Sequence, residues 1–219
     1  ADRLEKADDF EIAVHDLIKE YMTAHQRIIF NGNGYAPEWT KEAERRGLPN
    51  IPSMVEAVDT LTTKKAVSLF EKFGIFTEAE LRSRAEILYE TYAKTINIEA
   101  LTMLDMANKQ IMPAVMSYAK SLADTVNMIQ AAGGDATVPM QMLKEVTGKL
   151  TEMKKAAEVL LEEETKASSM SRGKEQAFYY YEKVMAAMSA LRAPADELEK
   201  MVDKSYWPFP TYADLLFEV

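Results

Sequence analysis

A long stretch without glycine most constrains the fold of this chain: residues 75 to 132 contain none, and their only proline is Pro113. Thr77 followed by Glu80 is a capping-box pattern, which predicts the start of a helix. A helix from Thr77 to about Ala131 would be about 80 Å long at 1.5 Å per residue. Pro113 is expected to kink or split it. Apolar side chains keep helical spacing throughout: Leu81, Ala85, Leu88, Tyr92, Ile96, Ala100, Met103, Ala107, Ile111, Ala114 and Tyr118. A second stripe, Ile98, Leu101 and Leu104, is expected to broaden the buried face.

Two further long helices are predicted after the turn "GGDATVP" at 133 to 139. Both show the alternating steps of three and four residues that are typical of knobs-into-holes packing. The first helix starts near Val138 or Pro139, is interrupted by "KASSMSRG" at 166 to 173, and has the seam Leu143, Val146, Leu150, Met153, Ala157 and Leu160. In the second helix, Pro194 removes one backbone hydrogen bond but does not change the heptad register. The seam of this helix is Ala177, Tyr181, Val184, Met188, Leu191, Ala195, Leu198 and Val202.

The N-terminal third is predicted to be helical but irregular. A helix over residues 8 to 26 is expected to be capped by Asp8 or Asp9. Residues 31 to 35 must turn, since Asn and Gly accept positive φ angles easily. Pro37 suits the first turn of the next helix and Gly47 its end. Short helices follow near 53 to 60 and 63 to 73, the second ended by Gly74.

The predicted fold class is therefore all-α, with an irregular helical N-terminal third followed by a long antiparallel three-helix, coiled-coil-like bundle. We predict a helical bundle domain at 51–205, preceded by 1–50 and followed by a C-terminal tail at 206–219. The net charge of −9 argues against nucleic acid as a partner. No apolar run is long enough to cross a membrane, and residues 1 to 9 lack the apolar segment of a signal peptide. The absence of cysteine fits a reducing cytoplasm.

The sequence offers no clear catalytic or metal site. His15 and His25 lie about 80° apart around one predicted helix, which is a poor arrangement for one metal ion. No Glu-x-x-His pair of a di-iron bundle occurs. The run "EEE" at 162 to 164 is interpreted as a solvated helix face, and "NGNG" at 31 to 34 lacks the spacing of a phosphate-binding loop. We therefore predict no catalytic, cofactor-binding or metal-binding residue in this chain.

Two stretches are unusual enough to suggest an interaction role. The first, "RIIFNGNGYAPEWTKEAERRGLPN" at 27 to 50, contributes the candidate contact residues Asn31, Gly32, Tyr35 and Trp39. The second is the tail, in which six of residues 206 to 212 are aromatic or proline. Its candidate contact residues are Trp207, Phe209 and Tyr212, since aromatic rings with a polar tip are good anchors. The tail either lies back on its own domain or docks on another domain or subunit.

Four strings in this order resemble the C-terminal part of type III glutamine synthetases: "RIIFNGNGY", "EAERRGLPN", "TINIEALTMLDMA" and "WPFPTYADLLF". The resemblance runs from about Gln26 to Val219 and is weakest at 127 to 175. It implies a parent that makes glutamine from glutamate and ammonia, with ATP and Mg²⁺ or Mn²⁺, and that assembles as double hexameric rings. The catalytic motifs of the family have no counterpart here, so residues 1–50 would be the end of the catalytic-domain region and its connecting corner.

Three functions follow as hypotheses. The first is a helical C-terminal region of a glutamine synthetase that serves structure and oligomer assembly, with the catalytic domain and neighbouring subunits as partners in the cytoplasm. The second is a free-standing helical-bundle module for protein–protein interaction. The third, an enzyme in its own right, would need a convergent pocket that the sequence does not indicate. On the first hypothesis the fragment alone is inactive and holds no cofactor.

Overall fold

The computed structural model describes residues 2–217, with the backbone alone for Asp2, Tyr212 and Phe217. Every regular element in this range is helical, which confirms the all-α prediction. The chain divides into two units, of which the first ends at Pro52 and the second begins at Ser53. The assignment of residues 1–50 to a catalytic-domain region stays a prediction.

The first unit contains the short helix α1 (Asp2–Glu5), α2 (Phe10–Ala24), a 3₁₀ turn at Gln26–Ile28 and α3 (Pro37–Arg45). Asp9 caps α2 by accepting a hydrogen bond from the Ile12 amide at 3.0 Å, as predicted. Pro37 is the first residue of α3, and Gly47, with φ of +73°, follows its end. No residue of α2 is buried.

The second unit begins with α4 (Met54–Asp59), a 3₁₀ turn at Thr60–Thr62 and α5 (Lys64–Lys72). Ser53 and Glu56 form a capping box around the start of α4, and Thr63 caps α5. Gly74 has φ of +61°, a backbone conformation that favours glycine, and it ends this pair of short helices as predicted.

The long helix is continuous, but a short π-helical segment separates its two α-helical parts. It consists of α6 (Glu78–Met106), a π-helical segment at Ala107–Ile111 and α7 (Met112–Ala131). The capping box of Thr77 and Glu80 is present at its start. In the π segment the Met112 amide donates to the Ala107 carbonyl five residues earlier. This wider turn lies directly before Pro113, which has no amide hydrogen and whose ring would clash with a carbonyl in a regular α-helix.

The other two helices of the bundle are α8 (Thr137–Ser169) and a helix with three parts: α9 (Lys174–Tyr179), a second π segment at Tyr180–Val184, and α10 (Met185–Met201). The short turn at 132 to 136 makes α8 antiparallel to α7. Helix α8 packs against α7 and α6 and also against α10, which gives the three-helix bundle. The helix Met185–Met201 runs through Pro194 without a break. The buried seam of the bundle includes Leu104, Val115, Val146, Met153, Leu160, Val184, Leu191 and Leu198.

The structure corrects the predicted seam at several places; in α7, for example, Val115 and Ala119 are buried, whereas Ala114 and Tyr118 are only half-buried. In α6, Tyr89 and Ala93 are buried, whereas Leu88 and Tyr92 are only half-buried. Tyr89 belongs to a small core that α6 forms with α4 and α9, and Ala93 belongs to the core of the bundle. The second stripe was wrong in part: Ile98 is 64% and Leu101 45% exposed, and only Leu104 is buried. In the last helix Tyr180, the first residue of the second π segment, is buried, and Tyr181 is only half-buried.

A polar contact ties α4 to α6 and α9. The Tyr89 hydroxyl donates to Asp59 at 2.7 Å, and Lys174 Nζ donates to the same carboxylate at 2.6 Å. Burial acts to raise the pKa of Asp59, but the hydrogen bonds from Lys174 and Tyr89 outweigh it and lower that pKa. The contact therefore fixes the N-terminal part of the long helix against α4 and against the start of the third bundle helix.

Candidate functional site

The predicted corner at 27 to 50 is held together by Arg46, which the sequence analysis did not single out. Its guanidinium donates to the backbone carbonyls of Arg27, at 3.2 Å, and Ile29. It also bonds to the Glu42 carboxylate, which Arg45 contacts at 2.6 Å. Hydrogen bonds from Arg45 and Arg46 lower the pKa of Glu42 to about 2. Arg46 thus connects α3 to the chain that enters the corner.

The four candidate residues in this corner have different environments. Asn31 and Gly32 are exposed, and Tyr35 is fully exposed, at 101%. Trp39 is half-buried, with its ring centroid 4.7 Å from that of Phe30. The structure therefore brings Trp39 into a small aromatic contact and leaves the other three on the surface.

The prediction that this corner uses positive φ angles was wrong. The described glycines with positive φ are Gly47, Gly74, Gly133 and Gly173, not Gly32 or Gly34. The turn is instead closed by Asn33, whose side-chain oxygen accepts from the Tyr35 amide at 3.0 Å. A Cβ at Gly32 would lie 2.5 Å from the Phe30 ring, so a larger residue there would require that ring to move. The Asn33 carbonyl also accepts from the Ala36 amide at 3.1 Å, so "NGNG" forms a corner that leads into α3.

The aromatic tail lies on the bundle of its own chain. Trp207 and Phe209 are half-buried and pack against the bundle core. The ring of Tyr206 lies 5.6 Å from that of Tyr118. Tyr212 begins the short helix α11 (Tyr212–Phe217), but its side chain is outside the part of the chain that the structure describes. Of the two alternatives for the tail, this conformation corresponds to the first.

A cavity of about 320 Å³ lies between the tail and the bundle. Its wall is mostly apolar and includes Met103, Met106, Ile111, Met153 and Leu191, with Trp207 and Phe209 on the tail side. The tail is also fixed by polar contacts: the Thr211 amide donates to Asp214 at 2.9 Å, and Lys204 contacts the same carboxylate. The hydrogen bond from Lys204, followed by those from Thr211, lowers the pKa of Asp214 to about 2.

A polar cluster interrupts the apolar core where α6, α8 and the second π segment meet. Asn97 Nδ2 donates to Glu164 Oε1 at 2.7 Å and to the Tyr180 hydroxyl at 2.9 Å. Gln176 Nε2 donates to the Ala167 carbonyl at 3.0 Å. Glu164 is only 7% exposed, Gln176 8% and Tyr180 2%. Burial raises the pKa of Tyr180, so its hydroxyl keeps its proton and can act as a donor.

This cluster overturns one interpretation of the sequence. The prediction that residues 162 to 164 form a solvated face is wrong, because Glu164 is buried and Glu163 accepts from the Tyr179 hydroxyl at 2.7 Å. Only Glu162 is exposed. A signal was available, because Glu164 follows Leu160 by four residues and so continues the heptad seam of α8. No comparable signal marks Asn97 or Tyr180, whose positions depend on tertiary packing and on the π segment.

The described residues contain neither a metal-binding cluster nor a membrane-spanning helix. Among the described residues no group of three or more His, Cys, Asp or Glu side chains is placed to bind a metal ion. In the same part of the chain, no helix combines the length and the hydrophobicity that a membrane span requires.

Comparisons with known proteins connect these features to one family. A family model described as the glutamine synthetase C-terminal domain matches residues 13–130. The chain is 38% identical over 214 residues to a glutamine synthetase of Butyrivibrio fibrisolvens, covering 97% of this chain and 31% of the relative. It is 31% identical over 218 residues to the type-3 glutamine synthetase of Dictyostelium discoideum, covering 97% and 30%. A glutamine synthetase of Bacteroides fragilis is 30% identical over 211 residues, covering 94% and 29%. The chain thus spans about a third of the length of these curated relatives.

Proposed function

Because the chain belongs to the glutamine synthetase C-terminal domain family, we propose that it is the helical C-terminal region of a glutamate–ammonia ligase and serves structure and oligomer assembly rather than chemistry. The larger protein would use ATP and Mg²⁺ or Mn²⁺, which this region would not hold itself. The partners of this region would be the catalytic domain and neighbouring subunits, in double hexameric rings in the cytoplasm.

The observation that carries this proposal is the uncovered apolar stripe of α2. Phe10, Ile18, Tyr21 and Met22 recur at helical spacing, and each is between 53% and 61% exposed. A contiguous apolar helix face is usually covered by another element or another protein. Helix α2 has no buried residue. A partner that covers its apolar stripe would explain why these side chains are apolar.

A free-standing helical-bundle interaction module is the alternative. The second unit supports it, since its core is continuous from Ala93 to Val202 and includes all three long helices. A domain with such a core could in principle fold without a parent protein. The alternative does not account for α2, because a self-contained module has no need for an uncovered apolar helix.

The test compares this 219-residue chain with the longer protein that contains it. Both are assayed for γ-glutamyl transferase and ATP-dependent synthetase activity with Mg²⁺ and with Mn²⁺, and their masses are measured by mass photometry. We expect activity and a ring-sized assembly only for the longer protein. Turnover by this chain alone would contradict the proposal, because the chemistry would then lie within these residues.

A matched pair of variants in the longer protein tests the α2 stripe. Ile18→Glu places a charge on the apolar stripe, whereas Thr23→Glu places the same charge on an exposed position of the same helix about 140° away. We expect Ile18→Glu to lower the assembled mass or the melting temperature, and Thr23→Glu to leave both unchanged. Equal behaviour of the two variants would show that the stripe is not a contact surface.

A further inference from the structure

A second cavity, of about 350 Å³, has a polar lining that the proposed assembly role does not explain. It lies where α6, the end of α8 and the start of α9 meet. Its volume is within the range of sites for small molecules, at the lower end. The polar residues that line it are Glu90, Lys94, Asn97, Arg172, Gln176 and Tyr180.

The buried polar groups of the chain are concentrated at this cavity. Glu164 and Gln176 are the buried polar or charged residues of the part that the structure describes, and Tyr180 is buried beside them. Gln176 and Tyr180 line the cavity, and Glu164 is joined to it through Asn97. Burying such groups is costly in an otherwise apolar bundle. The second π segment also begins here, at Tyr180, and single π turns inside helices are frequent at functional sites.

The amide side chains that line the cavity use their N–H groups within the protein, which leaves their oxygen atoms as acceptors for a ligand. Asn97 uses its Nδ2 group for Glu164 and Tyr180, so the free capacity of its amide is the acceptor Oδ1. Gln176 uses Nε2 for the carbonyls of Ala167 and Met170, which leaves the acceptor Oε1. Together with the Glu90 carboxylate, the lining therefore contains acceptors for a ligand that carries N–H groups.

The lining also contains a cation that is available for an anion. Lys94 is bonded to Glu90 at 3.0 Å, whereas Arg172 acts on that carboxylate only through its charge and forms no ion pair within 4.0 Å among the described residues. Arg172 is exposed and precedes Gly173, whose φ of +124° sets the turn into α9. A guanidinium can bind a carboxylate through two parallel hydrogen bonds, which gives both strength and orientation.

We propose that this cavity binds a small molecule of the α-amino acid class, with its carboxylate on Arg172 and its ammonium group on Glu90 and the Asn97 side-chain oxygen. Both charged groups of such a ligand find an opposite charge in the lining, and its N–H donors find the acceptors that the buried cluster leaves unused. A ligand with only one of the two groups would leave part of this lining without a partner.

Isothermal titration calorimetry on the 219-residue chain tests the inference. The probes are L-alanine, L-glutamate, L-glutamine and L-lysine, together with propionate and ethylamine, each of which carries only one of the two groups. We expect saturable binding of at least one amino acid, with propionate and ethylamine weaker by about tenfold or more. Absence of binding for all of these amino acids, or equal binding of propionate, would overturn the proposal.

Two exposed arginines provide a matched pair of variants. Arg172→Gln removes the cation at the cavity, and Arg82→Gln removes one that pairs with Glu78 on the surface of α6. We expect Arg172→Gln to weaken amino-acid binding by about tenfold or more, with an unchanged melting temperature, and Arg82→Gln to bind as the unmodified chain does. If Arg172→Gln also binds normally, the proposed carboxylate site is wrong.

Discussion

The polar cluster makes a sharp prediction about stability through Asn97. Its amide is the shared donor of the cluster, at 2.7 Å from Glu164 Oε1 and 2.9 Å from the Tyr180 hydroxyl. Asn97→Ala removes both hydrogen bonds at once. The Glu164 carboxylate and the Tyr180 hydroxyl then lose their donor, although these two residues are only 7% and 2% exposed. We therefore expect a large loss of stability from a small change in volume.

The magnitude follows from the two groups left behind. A buried polar group that loses its partner costs about 1–3 kcal/mol, and a charged one more. Alanine recovers about 0.5 kcal/mol because it favours the helix more than asparagine does. The adjacent cavity lets water reach part of the cluster, which reduces the cost further. We expect the free energy of unfolding to fall by about 2 kcal/mol, or the melting temperature by about 4–8 °C for a domain of this size.

Circular dichroism at 222 nm, with urea and with heat, measures this change. Asn127→Ala is the matched control, since Asn127 is exposed on α7 and its replacement should be neutral or stabilising by about 0.5 kcal/mol. The triple variant Asn97→Leu, Glu164→Leu and Tyr180→Phe removes the donor and both acceptors together and is expected to recover most of the loss. A loss below about 0.5 kcal/mol for Asn97→Ala, or a triple variant less stable than the single one, would refute the reasoning.

Two further predictions concern backbone conformation and pH. Gly173→Ala should destabilise the chain by about 1–3 kcal/mol, because φ there is +124° with ψ of −157°, a conformation that favours glycine. Gly148→Ala, on the exposed face of α8, should instead stabilise the chain by up to about 1 kcal/mol. Urea unfolding of both variants measures these opposite effects. Acid should release the tail: the pKa of Asp214 is lowered from 3.8 to about 2, so the stabilisation by Lys204 is complete above pH 3.8 and lost as the pH falls through about 2. Fluorescence of Trp207, in a variant whose other tryptophan is replaced by Phe, should change in this window, and Asp214→Asn should abolish the transition.

The bundle could be predicted from the sequence because its determinants are local. The capping box of Thr77 and Glu80 and the positive-φ glycines at 47 and 74 act within one turn of a helix, and all have their predicted roles. Heptad spacing also predicted most of the buried residues of α8 correctly. Prediction failed where packing partners change along a helix. Helix α6 buries Tyr89 in a small core with α4 and α9 but Leu104 in the main core of the bundle, and no local sequence pattern indicates that change.

The candidate sites were predictable only in part, for a related reason. The corner was found, but its closure by Arg46 and Asn33 depends on hydrogen bonds to backbone atoms, which composition does not indicate. The tail was found because six aromatic or proline residues are conspicuous in any sequence. The polar cluster was missed because Asn97 and Glu164 are 67 positions apart, and the π segment that places Tyr180 has no known sequence signature here.

The two proposals concern different elements, so they can fail separately. The contact surface proposed for assembly is the apolar stripe of α2, whereas the proposed ligand site uses Arg172 and Asn97. In the longer protein, Ile18→Glu should therefore change the assembled mass without changing amino-acid binding, and Arg172→Gln should do the reverse. If both variants changed both properties, ligand binding and assembly would be thermodynamically linked, and by reciprocity the amino acid would then shift the assembly equilibrium by the same factor by which assembly shifts its affinity.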